Sequence, residues 1–104
     1  MIKEAYCSYG IYKLLREKGF DGEIHTTYDD EGYTQPSITH QMAMRWLREV
    51  HNLFILVGWN PIHKEYFTRI INMTDTCPKR NIHEHTDYNE AIEAALKYTL
   101  ENLI

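Results

Sequence analysis

Apolar residues recur at helical spacing in three segments of the chain, and a residue that can cap a helix precedes each segment. The three capping residues are Ser8, Thr39 and Asp87. The side-chain oxygen of each can accept a hydrogen bond from the free amides of a first helical turn. The apolar positions are Ile11, Tyr12, Leu14 and Leu15; Met42, Ala43, Trp46, Leu47 and Val50; and Tyr88, Ile92, Ala95, Leu96, Thr99 and Leu103. This pattern predicts three amphipathic helices.

The ends of the predicted helices carry their own signals. Gly19 can take the left-handed conformation that closes a helix, and Phe20 can then fold back onto the last turn. Asn52 is a suitable stop for the second helix. Glu90 follows Asp87 at the spacing of a capping box, so the third helix has the clearest start. Residues 2–7 can extend the first helix or form a short edge strand, and the sequence leaves both open.

The segment between the first two helices predicts a short β-hairpin. Residues 23–28 are rich in β-favouring side chains, and residues 29–32 supply turn chemistry before Tyr33 and Thr34. The second strand is expected to end at Pro36, because proline has no amide hydrogen to donate to a neighbouring strand.

The segment between the second and third helices predicts another hairpin. Residues 53–59 form a nearly unbroken apolar run that is too short for a typical helix, which predicts a central strand. Residues 65–73 alternate in side-chain character, so residues 60–64 become the hairpin loop. Residues 75–86 are polar and contain Pro78, and this composition favours a surface loop.

Together these elements predict a single α+β domain over residues 1–104, in the order αββαββα. About three helices pack on one antiparallel sheet of about four strands, whose order stays open. A chain of 104 residues leaves no room for a second core.

Composition and charge narrow the function classes. The chain is 43% hydrophobic and 25% charged, as in a folded globular domain. Its net charge of −4 opposes general attraction to nucleic acid and to anionic lipid. Neither a signal-peptide core nor a membrane-spanning apolar run is present, and the two cysteines lack framework spacing, so we expect a cytoplasmic protein without a membrane partner.

The most suggestive metal-ligand types lie close together in Cys77, His83 and His85. A thiol and two imidazoles are ligands that zinc selects. The set is incomplete, since a fourth ligand has to come from His25, His63 or an acid elsewhere. A solvated polar loop is therefore the favoured interpretation, and whether these three residues bind metal stays open.

The other candidate groups have structural explanations. Cys7 or Cys77 can pair with a histidine as a nucleophile, but a packed Cys7 and a free loop thiol at Cys77 are the simpler interpretation. His40 is expected to be solvated in a first helical turn, and His51 to be a favourable cation at a helix end. The acidic clusters are Asp29, Asp30 and Glu31, which fit a turn, and Glu90 and Glu93, which complement a helix dipole.

Aromatic and basic residues suggest contact surfaces. Trp46 belongs to a helical stripe and is expected in the core, whereas Trp59 can pack inward or bind a partner. The strand tyrosines that can form a contact face are Tyr28, Tyr33 and Tyr66. The basic residues that can form a nucleic-acid platform with them are Arg45, Arg48, Lys79 and Arg80.

Three segments together resemble a known family. They are Gly19 and Phe20 after the run KLLREK, the run THQMAMRWLRE at 39–49, and the run EAIEAALKYTLENLI at 90–104. The chain resembles a family of small uncharacterised proteins from gut Bacteroides and the phages and mobile elements associated with them. The resemblance implies a bacterial intracellular or mobile-element origin, and it implies no catalytic residue, cofactor or partner.

The sequence therefore favours a non-catalytic protein-interaction or regulatory module. We expect it to contact a protein partner, or a second copy of itself, through a sheet face or through the loops at 60–64 and 75–86. The alternatives are a nucleic-acid-binding protein of a mobile element and a small metal- or Cys-dependent enzyme. No catalytic residue, cofactor or metal-ligand set is assigned.

Overall fold

A computed structural model describes residues 5–22, 24–28, 31–74 and 83–104 of the chain. The elements are α1 (Tyr9–Glu17), β1 (His25–Tyr28), β2 (Thr34–Ser37), α2 (His40–His51), β3 (Leu53–Asn60), β4 (Glu65–Asn72), β5 (His83–His85) and α3 (Tyr88–Asn102). The predicted α+β class with three helices is confirmed.

The strands form two antiparallel sheets. One contains β1 and β2, and the other has the order β3-β4-β5. The short strand β5 lies within a segment that was predicted to be a loop, and that part of the prediction is wrong because residues 83–85 pair with residues 66–68 of β4. Residues 75–82 of the predicted loop, which include Cys77, Lys79 and Arg80, lie outside the described residues.

The predicted helix caps are confirmed. The side chains of Ser8, Thr39 and Asp87 each accept a hydrogen bond from the backbone three residues ahead. At the end of α1, the amide of Phe20 donates to the carbonyl of Leu15 at 2.9 Å, and Gly19 has a φ of 95°. This is the closure that a glycine after the last turn permits.

Pro36 does not end β2, contrary to the prediction. It pairs with Thr26, and the strand continues to Ser37. A two-stranded sheet leaves one edge of each strand without a β-partner, so a residue that lacks an amide hydrogen is accommodated when it faces that edge.

Helices α2 and α3 cover one face of the three-stranded sheet, and α1 packs against α3 and β2. Helix α3 lies at the centre, because it contacts α1, α2 and all three strands. Trp46 is buried in the core as predicted, but Val50 in the last turn of α2 is 56% exposed, so its assignment to the buried stripe is wrong. The core residues are Cys7, Ile11, Leu15, Phe20, Ile38, Ala43, Trp46, Leu47, Leu53, Ile55, Ile70, Ile92, Ala95, Leu96 and Leu100.

Replacing the α3 cap, Asp87→Ala, is expected to lower the free energy of unfolding by about 0.5–2 kcal/mol. The carboxylate of Asp87 accepts a 3.0 Å hydrogen bond from the amide of Glu90, and alanine leaves that amide without this partner. Urea unfolding measures the change. Lys97→Ala, at an exposed position of the same helix, is the control, and an equal midpoint for the two variants would contradict the cap.

Candidate functional site

The feature of the sheet that the sequence did not reveal is the position of β3. Its apolar sequence predicted a central strand, but the central strand is β4 and β3 lies at the edge. Each residue of β3 has a partner in β4, from Leu53 opposite Asn72 to Asn60 opposite Glu65. Among the described residues, no strand pairs with the other edge of β3.

The two faces of this sheet are covered unequally. On the face toward the helices, Leu53, Ile55 and Ile70 are buried. The side chains on the opposite face are only partly buried although most are large and apolar. They are Phe54, Leu56, Phe67, Arg69 and Ile71, and we call them the outer face.

The outer face is closely packed within itself. The ring of Phe67 lies over Gly58, where any Cβ would overlap it. The guanidinium of Arg69 lies 5.9 Å from the centre of the same ring. Its Nε atom is buried without a hydrogen-bond partner among the described residues. The face therefore presents an apolar layer with one cation above it.

Three aromatic rings form a row from the hairpin end of β3 and β4 to the first residue of α3, and we call it the aromatic row. The ring centres of Trp59 and Tyr66 lie 4.8 Å apart, and those of Tyr66 and Tyr88 lie 5.4 Å apart. Trp59 is still 49% exposed, and Ile62 in the adjacent loop is 86% exposed. Trp59 therefore packs on a neighbour with one part of its surface and presents the rest to solvent.

A second site lies where the segment before α1 meets α2 and α3. This segment is extended: the amide of Cys7 donates to the carbonyl of Ile38, and the amide of His40 donates to the carbonyl of Ala5. The pairing places Cys7 beside His40, the first residue of α2. His40 is only 4% exposed, so the expectation of a solvated histidine is wrong.

Glu93 of α3 connects these elements. Its Oε1 atom lies 2.8 Å from Nε2 of His40 and accepts a hydrogen bond from the amide of Ser8, also at 2.8 Å. Its Oε2 atom accepts a 3.0 Å hydrogen bond from the hydroxyl of Ser8. The prediction that Glu93 only complements a helix dipole therefore missed its contacts with two other parts of the chain.

The electrostatics of this cluster follow from its burial and its hydrogen bonds. Burial alone would raise the pKa of Glu93, but the hydrogen bonds from His40 and Ser8 outweigh it and hold that pKa below its usual value. Burial, together with the nearby charge of Glu93, raises the pKa of the Cys7 thiol to about 12. At neutral pH this thiol keeps its proton and is a poor nucleophile.

Cys7, His40 and Glu93 form a compact group of metal-ligand types. Their candidate ligand atoms all lie within 4.8 Å of one another. An open cavity of about 560 Å³ adjoins them. Its lining includes His40, Glu93, Asp87, Glu90 and His85.

Only part of the predicted zinc-ligand set lies within the described residues. Cys77 lies outside them, whereas His83 and His85 belong to β5. Of the basic residues that suggested a nucleic-acid platform, Arg45 pairs with Glu49 of its own helix at 3.0 Å. Tyr33 lies immediately before β2 and is exposed.

Comparison with protein-family models, with curated proteins and with solved structures finds no match to this chain. No helix in the described part of the chain has both the length and the apolar character needed to cross a bilayer.

Proposed function

We propose that this chain is a non-catalytic protein-interaction module that pairs with a second copy of itself through the edge of β3. The observation that supports the proposal is the contrast between the sequence of β3 and its position. Its sequence is that of a covered strand, whereas one of its edges has no strand partner among the described residues.

The devices that normally protect an edge strand are missing from β3. Exposed edges usually carry lysine, proline or a bulge, or are very short. β3 has eight residues, LFILVGWN, with no charge and no proline, and its register with β4 runs without a break. An edge of this kind pairs readily with another strand.

A second copy fits this edge by symmetry. Two β3 strands that pair antiparallel around a two-fold axis use the same residues on both sides. In the joined sheet, the helix-covered faces of the two copies lie on the same side only if the residues that stand opposite each other point to the same face. A two-fold axis at Leu56 satisfies this condition, because it places Phe54 opposite Gly58 of the second copy and the two Leu56 side chains opposite each other.

The size of this contact determines how tightly the two copies are expected to bind each other. A paired strand of this length spans about 27 Å. Such an interface falls below the roughly 1,200 Å² that typical stable complexes bury. We therefore expect a reversible dimer, whose fraction rises with protein concentration.

The test is native mass spectrometry and light scattering of purified protein over a concentration series. Leu56→Glu is expected to remove the dimer, because like charges directly opposite each other destabilise a strand pair. The same glutamate faces Arg69 of its own chain, so the monomer retains a favourable contact. Ile62→Glu adds an equal charge at an exposed loop position and is expected to leave the dimer unchanged.

Two results would contradict the proposal. One is a wild-type monomer at every concentration up to the limit of solubility. The other is a dimer that survives Leu56→Glu, since the contact would then lie elsewhere. Hydrogen exchange distinguishes the second case directly, because dimerisation through β3 slows exchange of its edge amides as concentration rises.

A further inference from the structure

The cluster around His40 has no part in the proposed strand pairing, and its chemistry points to a different ligand. We propose that Cys7, His40 and Glu93 together bind one zinc ion. This site is distinct from the loop residues Cys77, His83 and His85 that the sequence suggested.

The ligand types and their spacing support a metal of this class. A sulfur, an imidazole nitrogen and a carboxylate oxygen are the three ligand types that zinc uses in proteins. The candidate atoms lie within 4.8 Å of one another, so small side-chain rotations bring them to the shorter spacing of a coordination shell. The sulfur and imidazole select zinc over calcium or magnesium, which prefer oxygen ligands.

His40 provides an independent observation. Its side chain is 5% exposed, and its Nδ1 atom is buried without a hydrogen-bond partner among the described residues. A buried polar atom without a partner is costly and calls for an explanation. A rotation of the ring turns Nδ1 toward the thiol and the carboxylate, where a bound metal ion gives this nitrogen the partner that it lacks.

The balance of charge also favours a cation. The zinc ion replaces the proton of the Cys7 thiol, which is released to solvent. The resulting thiolate and the carboxylate of Glu93 carry two negative charges, which match the charge of a zinc ion. Two further carboxylates, Asp87 and Glu90, line the adjoining cavity. The cavity gives the ion an entry path, and it leaves room for a water molecule or another group to complete the shell.

The fold holds the three residues without help from the metal. The backbone pairing of Cys7 with Ile38 fixes the first, the start of α2 fixes the second, and α3 fixes the third. A zinc ion at this point would connect the segment before α1 to both longer helices. Binding is therefore expected to raise the melting temperature of the protein.

Cobalt(II) is a suitable probe, because a cobalt–thiolate bond gives a charge-transfer absorption band that carboxylate and imidazole ligands alone do not. Metal-free wild-type protein is titrated with cobalt and then with zinc. We expect one equivalent to bind, a thiolate band with cobalt, and loss of that band when zinc displaces it. Each of the two cysteines is replaced in turn, as Cys7→Ala and Cys77→Ala.

The band is expected to persist in Cys77→Ala and to vanish in Cys7→Ala. Cys77→Ala decides the question even if Cys7→Ala fails to fold, because Cys7 is then the only thiol in the chain. Glu93→Gln is expected to weaken zinc binding at least about tenfold. Circular dichroism of each variant confirms that it is folded.

Several outcomes would overturn the inference. One is the absence of zinc binding at micromolar concentration, and another is cobalt binding without a thiolate band. A band that disappears in Cys77→Ala would place the metal in the loop instead. Unchanged affinity in Glu93→Gln would remove that residue from the site. None of these results bears on the β3 dimer, because the proposed strand pairing does not involve Cys7, His40 or Glu93.

Discussion

Trp46→Ala is expected to lower the free energy of unfolding by about 3–5 kcal/mol, which is the largest effect of any substitution considered for this chain. The indole is buried beside Phe20, the third residue after α1. Its ring centre lies 5.7 Å from that of Phe20 and 4.7 Å from that of His51, both in edge-to-face geometry. Alanine removes these contacts and leaves a cavity that the surrounding helices fill only in part.

Urea unfolding followed by circular dichroism measures this loss, since it does not depend on tryptophan fluorescence. The matched control is Val50→Ala on the same helix. Val50 is 56% exposed, so we expect a change within about 0.5 kcal/mol. Equal effects at the two positions would show that the buried face of α2 is not the one described here.

Most of the local structure was predictable because its causes are local. The caps at Ser8, Thr39 and Asp87 depend on a side chain and an amide three residues away. The closure at Gly19 depends on one residue that tolerates a positive φ. Such signals lie within one helical turn of sequence, so a single chain reveals them.

The position of β3 was not predictable from the same information. The sequence of an apolar eight-residue strand does not reveal whether the strand lies at the centre of a sheet or at an edge that another chain covers. Strand order depends on which segments pair, and here the second edge of β4 pairs with β5, a three-residue strand that its sequence does not reveal. The apolar sequence of β3 at an edge position is the observation that supports the proposed strand pairing.

The candidate metal cluster was missed for a related reason. Its members come from three segments, and Glu93 lies 85 residues from Ser8 and 53 from His40. One weak signal is present in the sequence. At about 100° per residue, Glu93 projects next to Leu100 at the border of the buried stripe of α3. An acid at such a border is partly covered, but the sequence does not identify its partners.

Glu93→Ala, in metal-free protein, is expected to lower the free energy of unfolding by about 2–3 kcal/mol. The side chain of Glu93 is 26% exposed, whereas that of His40 is 5% exposed. Loss of the carboxylate therefore leaves the imidazole buried without a partner on either nitrogen. The amide and hydroxyl of Ser8 lose the same acceptor, but they are exposed and water replaces it at little cost.

A double-mutant cycle separates this contact from a general effect of removing a charge. We expect a coupling energy of about 1–2 kcal/mol between Glu93→Ala and His40→Ala, because Glu93 is the side-chain partner of the buried imidazole. Glu101→Ala removes an exposed acid from the same helix and is expected to change stability by less than about 0.5 kcal/mol. Strictly additive effects of the two substitutions would mean that Glu93 stabilises the fold through Ser8 alone. In that case the cluster would no longer be held together before a metal ion binds.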